Sequence, residues 1–234
     1  MSEKPAVITI DGPSGVGKST VSKKVAAATG YLYLDTGAMY RGVGLYLVRA
    51  GVDLADDRAL SSALADLDLY LTPAPDENRD VGVFLGGEDV SAAVRTPEMA
   101  MVASRVSALA PVRKVLTKMQ REYGRLGRII AEGRDTGTVV FPEAACKFFL
   151  DAEPEERAAR RVAQLHSQGL EADFTQILAM TVERDRNDRQ RALAPLCPAA
   201  DAHCIDTTRM TVEEVVGTIL ETVRGAGLQN CEPR

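Results

Sequence analysis

Short apolar runs recur along this chain, and each is closed by an acidic, hydroxyl-bearing or glycine residue. Val7 to Ile10 is the first, rich in β-branched residues and ending at Asp11-Gly12. That pattern predicts a buried strand. Ser19 to Thr29 reads as a helix that stops near Gly30, and Tyr31 to Leu34 as a second strand ending at Asp35-Thr36-Gly37. Strand, glycine loop, helix and strand form the layout of a parallel βαβ unit. Ile129–Ala131, Lys147–Leu150 and His203–Ile205 read as further buried strands, followed by Glu132-Gly133-Arg134-Asp135, Asp151-Ala152 and Asp206-Thr207. The pattern therefore predicts an α/β fold, a five-stranded parallel sheet flanked by helices on both faces. Thr211 to Arg224, with Val212, Val215, Val216, Ile219, Leu220 and Val223 at helical spacing, predicts a closing helix. The last ten or so residues are expected to fray.

Between the second and third of these strands lie about 90 residues, far more than one crossover helix needs. Leu67–Leu71 and Val81–Leu85 read as short strands around the turn-rich Pro73–Asp80, and Gly86-Gly87 as a hairpin turning into Asp89-Val90. Thr96–Ala108 and Val112–Arg125 read as two helices split by Pro111. The segment is expected to be an inserted β-rich subdomain followed by a helical pair.

Composition narrows the classes of function. The 234 residues are 45% apolar and 26% charged, enough for one large α/β domain with a full core. No run approaches the roughly 18 apolar residues of a membrane span. MSEKPAVITID lacks the apolar stretch and cleavage site of a signal peptide. A cytoplasmic protein without a membrane partner is expected. Cys146, Cys197, Cys204 and Cys231 form no C-x-x-C pair, and His166 and His203 are the only histidines. Neither a disulfide framework nor a zinc site is expected. The net charge of −5 gives no general attraction for a nucleic acid polymer. Yet Arg184, Arg186, Arg189 and Arg191 crowd together, as do Arg157, Arg160 and Arg161. Local arginine clusters on an acidic chain point to a small polyanion.

Gly12-Pro13-Ser14-Gly15-Val16-Gly17-Lys18-Ser19 fits G-x-x-x-x-G-K-[ST], with Thr20 following. Backbone N–H groups must curl around phosphate oxygens, which requires small residues at the points of closest approach. The helix that starts near Lys18 aims its partially positive end at the same anion. Lys18 is expected to neutralise the β- and γ-phosphates of ATP, and Ser19 to offer its hydroxyl to Mg²⁺. The chain has neither N-K-x-D nor D-x-x-G, which argues against a GTPase.

Phosphoryl transfer spreads negative charge over three equatorial oxygens, and guanidinium groups answer it with planar, permanently charged forks. At helical spacing Arg157, Arg160 and Arg161 would share a face, as would Arg184, Asp188 and Arg191. Arg41, Arg134 and Asp135 stand at strand ends, where open parallel sheets bind ligands.

Gly12–Thr20, Asp35–Arg41 (DTGAMYR), Gly133–Pro142 (GRDTGTVVFP) and Arg184–Leu196 together resemble the bacterial cytidylate kinases, over about residues 5 to 225. Thr36 stands where other members carry serine, and the hydroxyl is kept. The resemblance implies transfer of the γ-phosphoryl group of ATP to CMP or dCMP by a monomer. It implies one P-loop kinase domain, with a core at about 5–36, 127–152 and 196–225. A monophosphate-binding insert would occupy about 37–126 and a helical lid about 153–195. Thr36, Tyr40, Arg41, Ser104, Arg113, Arg134 and Asp135 would surround the monophosphate. Arg41 and Arg134 would hold its phosphate, and Ser104 and Arg113 would read the cytosine side. Arg184, Asp188 and Arg191 would approach its sugar and phosphate. The lid would carry Arg157, Arg160 and Arg161, and Lys18, Arg134, Arg157, Arg161 and Arg191 would meet the migrating group. Two other readings fit the motifs: a P-loop kinase for another small acceptor, such as shikimate, and a non-catalytic nucleotide sensor.

Overall fold

The computed structural model describes residues 6–76, 78–167 and 169–228. The chain starts with β1 (Val7–Asp11), α1 (Lys18–Thr29) and β2 (Leu32–Asp35). It continues through α2 (Thr36–Arg49), α3 (Asp57–Ala65), β3 (Leu69–Thr72), β4 (Gly82–Leu85), β5 (Glu88–Asp89), α4 (Pro97–Val106) and α5 (Ala110–Arg125). It then runs through β6 (Ile129–Gly133), a π-helical turn at Thr136–Val140, β7 (Cys146–Asp151), α6 (Pro154–Ser167), α7 (Phe174–Gln190), β8 (His203–Asp206) and α8 (Val212–Gly225).

Five strands form one parallel sheet in the order β2-β6-β1-β7-β8. Alternation along the strands divides the core in two. Val7, Ile129 and Ala131 face a cluster shared with α2, α3, α4 and α5, whereas Ile8, Ile10 and Ile130 face α1 and α8. The insert therefore has no separate core; its apolar residues pack directly on one face of the parallel sheet. Its own antiparallel sheet is β3-β4-β5, turned at Gly86-Gly87 as the sequence predicts.

Local chemistry sets most helix ends. Asp35 accepts the Ala38 N–H at 2.8 Å and caps α2; Thr96 accepts from Met99 at 3.2 Å and caps α4. Thr211 and Glu214 make a reciprocal capping box on α8. Pro111 lies in the first turn of α5 rather than between two helices, where its missing N–H has no intrahelical acceptor to lose. Helices α2 and α3 were not foreseen by the strand-and-turn pattern. The glycines of α2 weaken its helical signal, yet space demands two of them. A Cβ at Gly42 would stand 2.7 Å from Leu69 Cδ1, and one at Gly44 2.8 Å from Val102 Cγ1. Among the described residues Cys146, Cys197 and Cys204 are free thiols, and Cys231 and the rest of 229–234 lie outside them. No helix among those residues is long and apolar enough to cross a membrane.

Gly12 leaves β1 at φ +145°, and a Cβ there would lie 2.0 Å from the Leu150 carbonyl oxygen of β7. Backbone cannot yield as a flexible side chain can. Gly12→Ala is expected to lose at least about 2 kcal/mol in urea unfolding. Gly217→Ala, in α8 with nothing within 4 Å of its Cβ, is expected to gain about 0.5–1 kcal/mol.

Candidate active site

The loop between β1 and α1 curls at the carboxyl end of the sheet, where Gly17 takes the left-handed conformation at φ 92°. No side chain caps α1 and no acidic residue stands in its first turn, so its leading N–H groups are left for an anion. Lys18 is only 4% exposed and its Nζ donates to the Pro13 carbonyl at 2.6 Å. Burial, reinforced by the Arg134 charge, pulls its pKa down to about 7. Ser19 donates to Glu132 Oε1 at 2.9 Å, and Tyr33 donates to Glu132 Oε2. Burial and then the nearby Asp35 carboxylate push the Glu132 carboxyl up, against the pull of Lys18.

The other residues singled out from the sequence form a network of ion pairs and hydrogen bonds. Thr36 donates to the Glu132 carbonyl at 2.7 Å, and Arg41 pairs with Asp35 at 3.1 Å. Arg134 pairs with the buried Asp188 at 3.1 Å. Arg113 and Asp135 form a buried ion pair, and Arg113 also donates to the Ser107 carbonyl at 3.3 Å. Arg184 donates to the Ser14 hydroxyl of the loop at 3.3 Å. Burial, helped by the Arg134 charge, lowers its pKa to about 10. Arg191 donates to the Ser107 hydroxyl at 2.9 Å. Burial pushes the Tyr40 phenol up to about 12, with Arg113, Asp135 and Arg191 close enough to act on it.

Several of these groups carry buried polar atoms with no hydrogen-bond partner in the protein: Tyr40 OH, Arg41 Nε, Arg184 Nε and Arg191 Nη2. A buried unpaired donor costs about 1–3 kcal/mol, more when charged. Three of these four atoms belong to guanidinium groups, and together they suit an anionic partner.

Arg157, Arg160 and Arg161 have different partners. The guanidinium of Arg157, 2% exposed, is held inside the protein: Nε donates to Ala152 O at 2.9 Å, Nη1 to Ser14 O at 3.0 Å, and both terminal nitrogens to Asp185. It braces the phosphate loop against α7, with four of its five N–H donors committed to protein oxygens. Arg160 holds the Thr207 carbonyl at 2.7 Å, and Arg161 meets Gln164 on the exposed side of α6. Arg191 caps the C-terminal end of α7 with ψ 133°, so the chain leaves the helix after it, and its Nε donates to the Asp188 carbonyl at 3.4 Å. Ser104, half-buried on α4, accepts from the Ser107 hydroxyl through its carbonyl at 2.7 Å, and the same Ser107 hydroxyl accepts from Arg191.

The motif reading also missed several residues. Asp11 ends β1, buried, and accepts from Thr136 N, Thr136 Oγ1 and Gly137 N at 2.9, 2.8 and 2.7 Å. It clamps the π-helical turn beside Asp135, and burial lifts its pKa to about 6 against those donors. Glu132, directly ahead of Gly133-Arg134-Asp135, had the strongest available signal: an acidic residue ending a buried strand. A cavity of about 500 Å³ next to the loop, lined by Val16, Val21, Arg160, Met210, Val212 and Val215 among others, had no sequence signal.

A glycine loop closing a parallel strand onto a helix, faced by a cluster of arginines, is the fold and site of a P-loop kinase. The sequence profile of the cytidylate kinase family matches residues 8–225. The chain belongs to the cytidylate kinase family. It is 46% identical over 218 residues to a cytidylate kinase of Escherichia coli O1:K1, covering 93% of this chain and 95% of that protein. It is 45% identical over 230 residues to a bifunctional pantoate ligase/cytidylate kinase of Synechococcus elongatus, covering 97% of this chain. The chain spans only 44% of the length of that bifunctional relative. A solved, uncharacterized protein from Eubacterium ventriosum superposes over 95% of this chain and 99% of its own with a TM-score of 0.53 at 12% identity, a likeness of fold alone.

Removing one side of the buried Arg157–Asp185 pair strands the other charge. Arg157→Ala is expected to lose about 3–5 kcal/mol of stability, whereas Arg161→Ala should stay within about 0.5 kcal/mol of the parent. Chemical denaturation of the two variants checks the contrast.

Proposed function

We propose that this chain transfers the γ-phosphoryl group of ATP to the phosphate of CMP or dCMP, giving ADP and CDP or dCDP. The carrying observation is the set of buried, unpartnered donors on Tyr40, Arg41, Arg184 and Arg191, with Arg184 also reaching the Ser14 hydroxyl of the phosphate loop. A single triphosphate in the loop leaves the far side of that set unmatched. A second phosphate, end to end with the first, matches it.

The residues divide the work by position. Loop N–H groups and the start of α1 hold the β-phosphate, and Lys18 bridges toward the γ-phosphate. The cavity beside Val16 and Val21 takes the donor base against an apolar floor. Arg41 and Arg134 grip the acceptor phosphate, and Arg184 and Arg191 stand between the two nucleotides. An acceptor phosphate oxygen attacks the γ-phosphorus in line as the bond to the β–γ bridging oxygen breaks. The acceptor oxygen is already anionic, so no side chain need remove a proton. Orientation and charge stabilisation carry the rate. Arg113, fixed by Asp135 and Ser107, supports a reading of the pyrimidine edge.

The Ser19 hydroxyl, a hard oxygen whose proton is held by Glu132 at 2.9 Å, fits Mg²⁺. No group of three or more Asp, Glu, His or Cys side chains among the described residues could hold a metal by itself. That suits an ion that rests mainly on phosphate oxygens and water. When bound, Mg²⁺ would neutralise phosphate charge and fix the reacting oxygens. The insert at about 37–126 and the lid at about 153–195 would close over the paired nucleotides and exclude water, and closure is what would bring Arg161 inward.

A coupled assay with ATP and Mg²⁺ tests this reading against CMP, dCMP, UMP, AMP and shikimate. CMP and dCMP are expected to lead; preference for AMP or shikimate, or no transfer to any of them, overturns it. Lys18→Met should lose at least about a hundredfold in kcat while remaining folded. The lowered pKa of Lys18 gives a further expectation. Burial lowers the pKa of this amine to about 7 in the free protein, which favours its neutral form as pH rises. A bound triphosphate favours its charged form, so binding takes up a proton and affinity falls as pH rises above 7. Calorimetry at pH 8 in buffers of different ionisation heat should show net uptake for the parent and none for Lys18→Met.

A further inference from the structure

Tyr33 lies on β2, outside every motif singled out by the sequence. Its neighbours Leu32 and Leu34 pack toward the core on that strand, and Tyr33 itself is only part-buried. Its hydroxyl nevertheless reaches across to the end of β6 and donates to Glu132 Oε2. β2 and β6 are paired in parallel, with Tyr33 opposite Ile130 and Asp35 opposite Glu132. The phenol therefore spans two residues along the ladder to meet the carboxylate at the strand end. Glu132 is 8% exposed, and its other oxygen accepts from Ser19 Oγ at 2.9 Å.

The consequence lies in how the Ser19 hydroxyl points. A serine hydroxyl has one proton and two lone pairs. With the proton committed to Glu132, both lone pairs are directed away from the carboxylate, ready to serve a hard cation. If Glu132 swung to another rotamer, the hydroxyl would be free to rotate and to donate to a phosphate oxygen instead. Two oxygens of one carboxylate, each held by a different hydroxyl on a different element, leave it no such freedom. Asp35 stands close enough to repel Glu132, since its charge helps push that carboxyl up. Without the Tyr33 donor, that repulsion would favour movement of Glu132 away from the strand end.

We propose that Tyr33 is a positioning residue for the metal of the ATP complex: it pins Glu132, which in turn orients the Ser19 hydroxyl so that its lone pairs face the cation. This rests on the kinase reading above. It assigns no catalytic contact to Tyr33, which acts only through Glu132 and Ser19. Partners that orient metal ligands from behind commonly alter metal affinity by about 10- to 100-fold when removed.

The test uses the full chain with Mn²⁺ as the probe. Protein in excess over ATP is titrated with Mn²⁺, and the free ion is read by electron paramagnetic resonance. ATP affinity in EDTA is measured separately for the parent, Tyr33→Phe and Glu132→Gln. Tyr33→Phe is expected to weaken Mn²⁺ binding to the protein–ATP complex by about tenfold, with ATP affinity in EDTA and CMP affinity unchanged. Glu132→Gln should weaken Mn²⁺ at least as much, and adding Tyr33→Phe to it should produce little further loss. Parental Mn²⁺ affinity in Tyr33→Phe overturns the proposal. So does an equal loss of ATP affinity in EDTA, which would mark a general disturbance of the loop. A parent that binds no ATP would sink the kinase reading itself, a result distinct from either.

Discussion

The site depends on one electrostatic constraint: more positive charge is held near the phosphate loop than the protein's own carboxylates answer. Lys18 is desolvated and feels Arg134 and Arg184; Arg184 in turn feels Arg134 and Arg41. Glu132 and Asp188 offset part of this, and Asp35 balances Arg41. Donors on Arg41, Arg184 and Arg191 remain buried and unmatched. Such an arrangement is unfavourable in the free protein and becomes favourable when phosphates enter. The binding free energy of the nucleotides thus opposes a strain already present in the fold, a common arrangement at active sites.

Holding like charges together requires a rigid frame, and the parallel sheet provides it. Its carboxyl edge delivers Asp11, Glu132 and Asp151 from neighbouring strands. Asp11 ties the turn after β6 to the end of β1, and Arg157 ties α6 and α7 to the Ser14 carbonyl. The loop is therefore braced from two sides while its N–H groups face the cleft. Insert and core share one hydrophobic cluster, so α2 and α4 rest on the same sheet that positions the loop.

Much of this was legible from residues alone. Five buried strands, the glycine loop, α1, the helical pair of α4 and α5 and the closing helix all follow from apolar periodicity and turn chemistry. The placement of Arg134 and Asp135 directly after β6 was legible too, whereas Arg41 lies within α2. What sequence hid was which arginine is spent on structure. Arg157 and Arg161 look alike in R-x-x-R-R, but only packing reveals that one is locked to Asp185 and the other meets Gln164 near solvent. Likewise Ser104 and Ser107 differ by less than one helical turn, and only the end of α4 decides which hydroxyl reaches Arg191. Helix α2 was obscured because its glycines answer to neighbours far away in the chain, not to helix propensity.

The most direct measurement is the affinity of a bisubstrate compound in which adenosine and cytidine are joined through five phosphates. The account predicts that it binds well over tenfold more tightly than ATP or CMP alone, because it engages both phosphate grips at once. An affinity no better than that of ATP would contradict the paired-nucleotide site.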